Sequence, residues 1–345
     1  MKTLTVKRWL VTIIIMAVVL AVLMFFCQFV GAKYVGPEKI ITGLSRTDSL
    51  ILLHYHLPRV LVAALVGAAL AVCGAVFQGL LRNPLADPFI LGISGGGTVG
   101  AVFAVAIGAN VALFGLSAVT VFAFLGSLGA LALVLAFSKI RGTVATHTLI
   151  LAGVVLNAIF SAVILFLMSM MSVFDMRAIY RWLMGSLSYS IDLEYSQIGV
   201  AAGGVVVCSI LLLTTARSLN LFALGEESAV QMGVRAERTR LFCLILTAIL
   251  TGVAVSVTGP IGFVGLIVPH IVRLLVGPDH RIVLPASFFG GAIFLLVADA
   301  VARSVLPLTG LSLSELPVGV VTALCGGPFF LWLLRSRSKR AVFGR

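Results

Sequence analysis

The sequence predicts an all-α integral membrane protein with about ten transmembrane helices. Composition is the first reason. Hydrophobic residues fill 61% of the 345 positions and charged residues only 10%, whereas a soluble domain carries about 25% charged residues. The second reason is pattern. Long stretches such as 10–30 and 201–214 are apolar without alternation, and barrel strands would alternate over about 10 positions. The third is hydrogen bonding, because an unalternated run in hydrocarbon can satisfy its backbone only as a helix.

Each span needs about 20 apolar residues. The first, 9–30, follows MKTLTVKRWL. It outruns the 7–15-residue apolar core of a signal peptide, so it reads as an uncleaved span. The second, 59–81, opens after Leu57-Pro58 and stops at Arg82-Asn83-Pro84. The third, 92–108, is short and glycine-rich. Spans 112–137, 147–171, 192–214 and 240–258 follow. The eighth, 261–276, is again short and rich in Gly and Pro. Spans 282–305 and 316–334 complete the set. No low-complexity linker or internal repeat divides the chain, so 1–345 reads as one domain.

Basic residues orient the bundle. With the N-terminus inside, the outer side holds Lys33, Lys39, Arg46, Arg59, Arg177, Arg181 and Arg303, and the rest of the 24 Lys and Arg residues fall inside. The positive-inside rule therefore predicts cytoplasmic termini. It also accounts for the net charge of +12. No basic stripe with interleaved aromatics appears, so no nucleic-acid partner is expected. Cys27, Cys73, Cys208, Cys243 and Cys325 all lie in apolar segments without a CxxC pair, and read as small buried hydrophobes.

Between the second and third spans lies RNPLADPFILGISGGG, residues 82–97. Each residue before a proline is biased away from helix, so this stretch predicts a tight inner turn. The glycines beyond it permit close helix approach. Residues 95–100, GGGTVG, fit a dinucleotide fingerprint in spacing only, since no strand precedes them and no acid follows at the required distance. No lysine follows a glycine anywhere, which excludes a Walker A loop. No HExxH, GxSxG or paired catalytic carboxylates stand out, so the chain is not read as an enzyme.

The largest inner loop, 215–239, carries SLNLFALGEESAVQMGV at 218–234. Leu221, Phe222, Leu224, Val230 and Met232 are too apolar for an idle surface, so the loop reads as a docking helix for a cytoplasmic partner. Asp299 and Arg303 stand one helical turn apart near an outer end, spaced for a local salt bridge. Arg59 at the outer mouth of the second span either snorkels or receives a partner's carboxylate. His54 and His56 form an HxH without an evident third metal ligand. His270 and Met168, Met170 and Met171 read as packing residues.

Further stretches are LILAGVVLNAIFSAV, LFALGEESAVQMGV, GPIGFVGLIVPHIVRLLVGPDHR, LLVADAVARSV and ELPVGVVTALCGGPFFLWLL. With LPRVLVAALVGAALAVCGAVFQGLLRNPLADPFILGISGG, they resemble, in order and over nearly the whole chain, the ABC importer permeases for iron–siderophore complexes, heme and cobalamin. The resemblance implies the type II ABC importer permease fold in a bacterial inner membrane. It implies a dimer of permease subunits, expected here as a homodimer. Two cytoplasmic ATPase subunits would hold ATP and magnesium, and a soluble binding protein would dock outside. This chain itself would bind no cofactor or metal.

By the same resemblance, coupling helices at about 218–235 contact the ATPase through Leu224, Gly225, Glu226, Glu227, Ser228, Ala229 and Gly233. Asn83 and Leu85 match a loop that closes the inner end of the pathway. Thr146 and His147 match a second closing region, with His147 in place of a smaller residue. Arg59 and Arg303 match outer arginines that pair with the binding protein, and His56 stands where some relatives have another arginine. Iron(III)–siderophore is the expected cargo because it is the commonest in that family, with cobalamin and heme as alternatives. An ion-coupled secondary transporter is the rival class, but it needs coupling carboxylates at mid-membrane, and Asp299 alone approaches that description.

Overall fold

The structure, a computed structural model, describes residues 5–31, 36, 39, 43, 45–109, 116–140, 143–188, 193–309 and 315–343. Ten apolar helices follow one another in the predicted order. They are α1 (Val6–Cys27), α2 (Arg46–Leu80), α3 (Ile93–Ala106), α4 (Ala118–Ser138), α5 (Thr146–Ser169), α7 (Tyr195–Thr214), α10 (Ala236–Thr258), α11 (Val264–Val276), α12 (His280–Thr309) and α13 (Val318–Phe343). Among the described residues, three short helices lie between them: α6 (Val173–Leu183), α8 (Ala216–Phe222) and α9 (Glu226–Gln231). A two-residue antiparallel ladder, Lys139 opposite Val144 and Ile140 opposite Thr143, turns α4 into α5.

Helix α2 begins earlier than hydropathy predicts. Ser45 caps it by accepting the Asp48 N–H at 3.1 Å, and a π-helical turn over Ile51–His56 carries the chain into the apolar run. In that turn the Leu57 N–H reaches back five residues to the Leu52 carbonyl. The wider turn accommodates Pro58, which has no N–H to give. From Pro58 to Leu80 almost every side chain is buried. Helix α2 is thus the axis of the bundle, with α10, α11, α12 and α7 packed around it.

Two glycines allow that packing. A Cβ on Gly67 would overlap the Gly291 carbonyl of α12, and one on Gly74 would overlap the Gly265 carbonyl of α11. Backbones meet at these two points without side chains between them, as small-residue contacts in membranes do.

The two short spans have a structural cause. Helix α3 has 14 residues and α11 has 13, about 20 Å each, against about 30 Å of hydrocarbon. Each starts inside the bundle. Gly265 lies beside Gly74, which is six residues, or about 9 Å of helix, before the end of α2. Ahead of α3, a 3₁₀ turn over Pro88–Leu91 is held by Asn157 of α5, whose amide donates to the Phe89 carbonyl at 2.8 Å. The irregular backbone at this depth is buried in protein, the condition under which membranes tolerate it.

Cross-links define the two sides. Arg8 donates to the Val276 carbonyl at 3.0 Å and Trp9 to the Arg281 carbonyl at 2.9 Å, tying the start of α1 to the α11–α12 turn. This is the N-terminal side. On the opposite side the Gly319 N–H donates to the Gly185 carbonyl at 3.1 Å, and the Leu316 N–H to the Ala302 carbonyl at 3.1 Å. Helix α13 returns from there, so both ends of the described chain share the N-terminal side.

Candidate functional site

Three constellations stand out, one on the opposite side and two on the N-terminal side. The first gathers four ionic side chains. Arg59 of α2 donates to Asp299 of α12 through Nη2 at 2.9 Å and Nε at 3.0 Å. Its other arm pairs with Glu315. Arg303 brings its Nε within 3.0 Å of Asp299 and donates to the carbonyls of Val30 at 2.7 Å and Cys27 at 3.1 Å. Asp299 is 0% exposed and Arg303 1%. Two cations and two anions cancel, which lets the group sit away from water.

The predicted i, i+4 pair of Asp299 and Arg303 forms. The docking expectation for Arg59 and Arg303 gains no support from this arrangement. Both guanidinium groups point inward and are engaged within the chain, so neither is presented at the surface. His56 also turns inward. It donates from Nδ1 to the Gln28 carbonyl at 2.5 Å and lies against Gly31.

The second constellation is the α8–α9 segment. Gly225 and Gly233 bracket α9 at φ 121° and 88°, a conformation that suits glycine. Ala229 is fully buried and pins the short helix down. Glu226 accepts from Arg240 of α10 at 2.7 Å, and Glu237 lies 3.5 Å from the same guanidinium. The other face is open. Leu224, Val230 and Met232 are 64%, 53% and 59% exposed, and Glu227 and Gly233 are exposed beside them, with Ser228 half-buried. Of the five apolar residues that suggested docking, Phe222 is buried instead and packs the segment onto the bundle.

The third constellation is the turn between α2 and α3. Asn83 accepts the Leu85 N–H on its side-chain oxygen at 3.0 Å, and its carbonyl accepts the Ala86 N–H at 3.0 Å. Asp87 is buried and accepts the Phe89 N–H at 2.9 Å. Asn83 and Leu85 are half-buried. Thr146 and His147 open α5, Thr146 half-buried and His147 exposed. Gly153, one to two turns further along α5, packs on the Ile90 carbonyl, so the start of α5 and the turn before α3 belong to one packed unit.

An apolar cleft of about 710 Å³ opens between α2, α4, α7 and α10. Val66, Phe124, Val205 and Val257 line it, with Thr120, Ser196, Gln197 and Ser256 as polar groups. It lies within this one subunit.

The sequence reading missed a fourth group on the N-terminal side. Gln78, Arg273, His280, Asn220 and Asp279 come from four helices and the loop before α12, and join through hydrogen bonds. The only local signal was Pro269, which removes a helical donor. Nothing in the spacing of Asn220 and His280, 60 positions apart, announces their contact.

A sequence profile of the FecCD transport family matches residues 18–336. The chain belongs to that family. The permease is 44% identical over 309 residues to the cobalamin import system permease protein BtuC of Halobacterium salinarum, covering 90% of this chain and 79% of that one. It is 43% identical over 295 residues to the hemin transport system permease protein HmuU of Yersinia pestis, covering 84% and 85%. Its fold matches a solved metal-chelate type ABC transporter in an inward-facing conformation. That match has a TM-score of 0.80 and 31% identity, over 95% of this chain and 99% of that one. The permease is thus a multi-pass membrane subunit of an ABC importer, of the group that handles metal chelates, cobalamin and heme.

Proposed function

We propose that this chain is the membrane pathway of an ATP-driven importer that carries a metal chelate into the cytoplasm. The observation that carries the reading is the exposed face of α9 and its flanks. Leu224, Val230 and Met232 present apolar surface outside the spans, on a helix anchored by Ala229 and by the Arg240–Glu226 pair. Such surface suits a protein partner. A cytoplasmic ATPase holding ATP and magnesium would occupy it. The charge bias supports a cytoplasmic N-terminal side in a bacterial inner membrane. A second copy of the chain would complete the pathway, and a soluble binding protein would deliver cargo from outside.

Iron(III)–siderophore was the cargo expected from the sequence. The names of the two relatives favour cobalamin and heme, both large macrocyclic chelates, and these take the first place in the proposal.

The test is uptake into cells lacking such permeases, supplied with this chain and its neighbouring ATPase and binding protein. Labelled cobalamin, heme and iron–siderophore are offered side by side. ATP-dependent accumulation of one cargo is the expected result. Accumulation that persists without the ATPase would instead favour an ion-coupled transporter.

A further inference from the structure

We infer that Asn220, His280, Arg273 and Gln78 are positioning residues that link the coupling segment to the break in the membrane-buried backbone ahead of α11. The inference rests on the proposed ATP-driven function and names the side chains that carry its motion.

The chain of contacts begins beside the docking surface. Asn220 lies in α8, one turn before exposed Leu224. Its side-chain NH₂ donates to Asp279 at 2.7 Å, and its side-chain oxygen accepts the His280 backbone N–H at 2.8 Å. The same oxygen lies 2.8 Å from His280 Nδ1. An oxygen there requires the proton on Nδ1, which leaves Nε2 as an acceptor facing Arg273 at 3.5 Å. Gly79 makes room for the ring, since a Cβ there would lie 2.5 Å from Nε2.

Arg273 then fixes Gln78. Its Nη1 donates to the Gln78 side-chain oxygen at 2.5 Å and its Nη2 to the Ala75 carbonyl at 3.2 Å. With its oxygen held, the Gln78 NH₂ turns to the carbonyls of Gly265 and Leu266, at 3.1 and 3.2 Å. The Gly265 carbonyl is a special acceptor. Its helical donor would be residue 269, which is proline and has no N–H. Gln78 supplies the missing bond from a neighbouring helix, and it is 3% exposed, so water does not compete.

Gly265 also touches Gly74 and approaches the Asp87 carboxylate. The far end of the relay is therefore where the irregular backbone before α11 meets the inner turn before α3. A displacement at Leu224 reaches that junction through four side chains.

The experiment uses the whole complex in liposomes, with its ATPase and binding protein. Asn220→Ala, Gln78→Leu, the double variant and Gly79→Ala are compared with the unaltered complex for assembly, ATP hydrolysis and cargo moved per ATP. The unaltered complex tests the underlying reading: if it assembles but moves no cargo with ATP, that reading fails. Given transport there, each single variant is expected to assemble and hydrolyse ATP but to move about 2- to 30-fold less cargo per ATP. The double variant is expected to lose no more than the worse single one, because both cut one line. Additive losses, or an unchanged ratio in the variants, would overturn the proposal. If Gln78→Leu does not assemble, Asn220→Ala at half-buried Asn220 and Gly79→Ala at buried Gly79, singly and together, carry the same comparison.

Discussion

Arg59 and Asp299 stand 240 positions apart, yet their side chains close a 2.9 Å ion pair that is almost wholly shielded from water. Arg303 approaches the same carboxylate from one turn away. One acid therefore holds two cations and ties α2 to α12 on the side opposite the N-terminus.

Removing that acid should be costly. Asp299→Asn keeps the shape but leaves two buried guanidinium groups with Glu315 as their remaining acidic partner. Breaking a buried pair costs about 3–5 kcal/mol, because the surviving charge is stranded. Thermal unfolding in detergent should show a large drop for Asp299→Asn. A smaller drop is expected for Glu315→Gln, whose side chain is 27% exposed and whose loss water can offset. Equal drops would show that burial does not set the cost.

The backbone contact between α2 and α11 gives a second expectation. Gly74→Ala puts a methyl group into the Gly265 carbonyl, and the obstruction is backbone, which cannot rotate aside. Overpacking of a tight core costs about 1–3 kcal/mol. Gly129, in the apolar helix α4, has open space at its Cβ position. Gly129→Ala should leave unfolding unchanged or raise it slightly, since alanine is the better helix former. Similar losses at both glycines would contradict this account.

Hydropathy revealed the number and order of the spans because lipid imposes one rule on every residue of a span. It also marked spans three and eight as unusual, through their Gly and Pro. It could not reveal their depth. That depth comes from Asn157 gripping the Phe89 carbonyl and from Gly74 admitting Gly265. Those contacts join residues far apart in sequence. Arg59 and Arg303 show the opposite limit. Their spacing announced the Asp299–Arg303 pair, but Arg59 and Glu315 complete the group from distant segments, and the sequence reading turned Arg59 outward. The apolar residues of the α8–α9 segment were legible in the sequence, but only packing decides that Phe222 faces in while Leu224 faces out.

Asp279 sets a pH expectation. Hydrogen bonds from Arg281, helped by Asn220, hold its carboxyl down to about 2. An acid whose folded value lies below its unfolded value of about 3.9 stabilises the fold at higher pH, and loses that effect as pH falls through the folded value. The clasp to Asn220 should therefore stay closed from neutral pH down to about 4 and open towards 2. The slowing of amide hydrogen exchange at the start of α12 should be independent of pH in the upper range after correction for intrinsic rates. Asp279→Asn should reduce it throughout. Protection lost already between pH 7 and 5 would contradict the assignment.

The exposed leucine gives the clearest separation of docking from folding. Leu224 is 64% exposed and makes no side-chain hydrogen bond, so Leu224→Asp should leave the unfolding temperature of the permease within a degree or two. Its partner surface would then face a charge in an apolar contact. Loss of a hot-spot residue at the centre of an interface costs about 2 kcal/mol or more, about 30-fold in affinity, and a buried unpaired charge adds to that cost. Copurification with the ATPase should fall by about that factor. Ala229→Asp is the contrasting case: Ala229 is fully buried on the packed face of α9, so the charge should unfold the segment and lower stability and docking together. If Leu224→Asp destabilises the chain as much as Ala229→Asp does, then Leu224 packs within the permease and the docking face lies elsewhere.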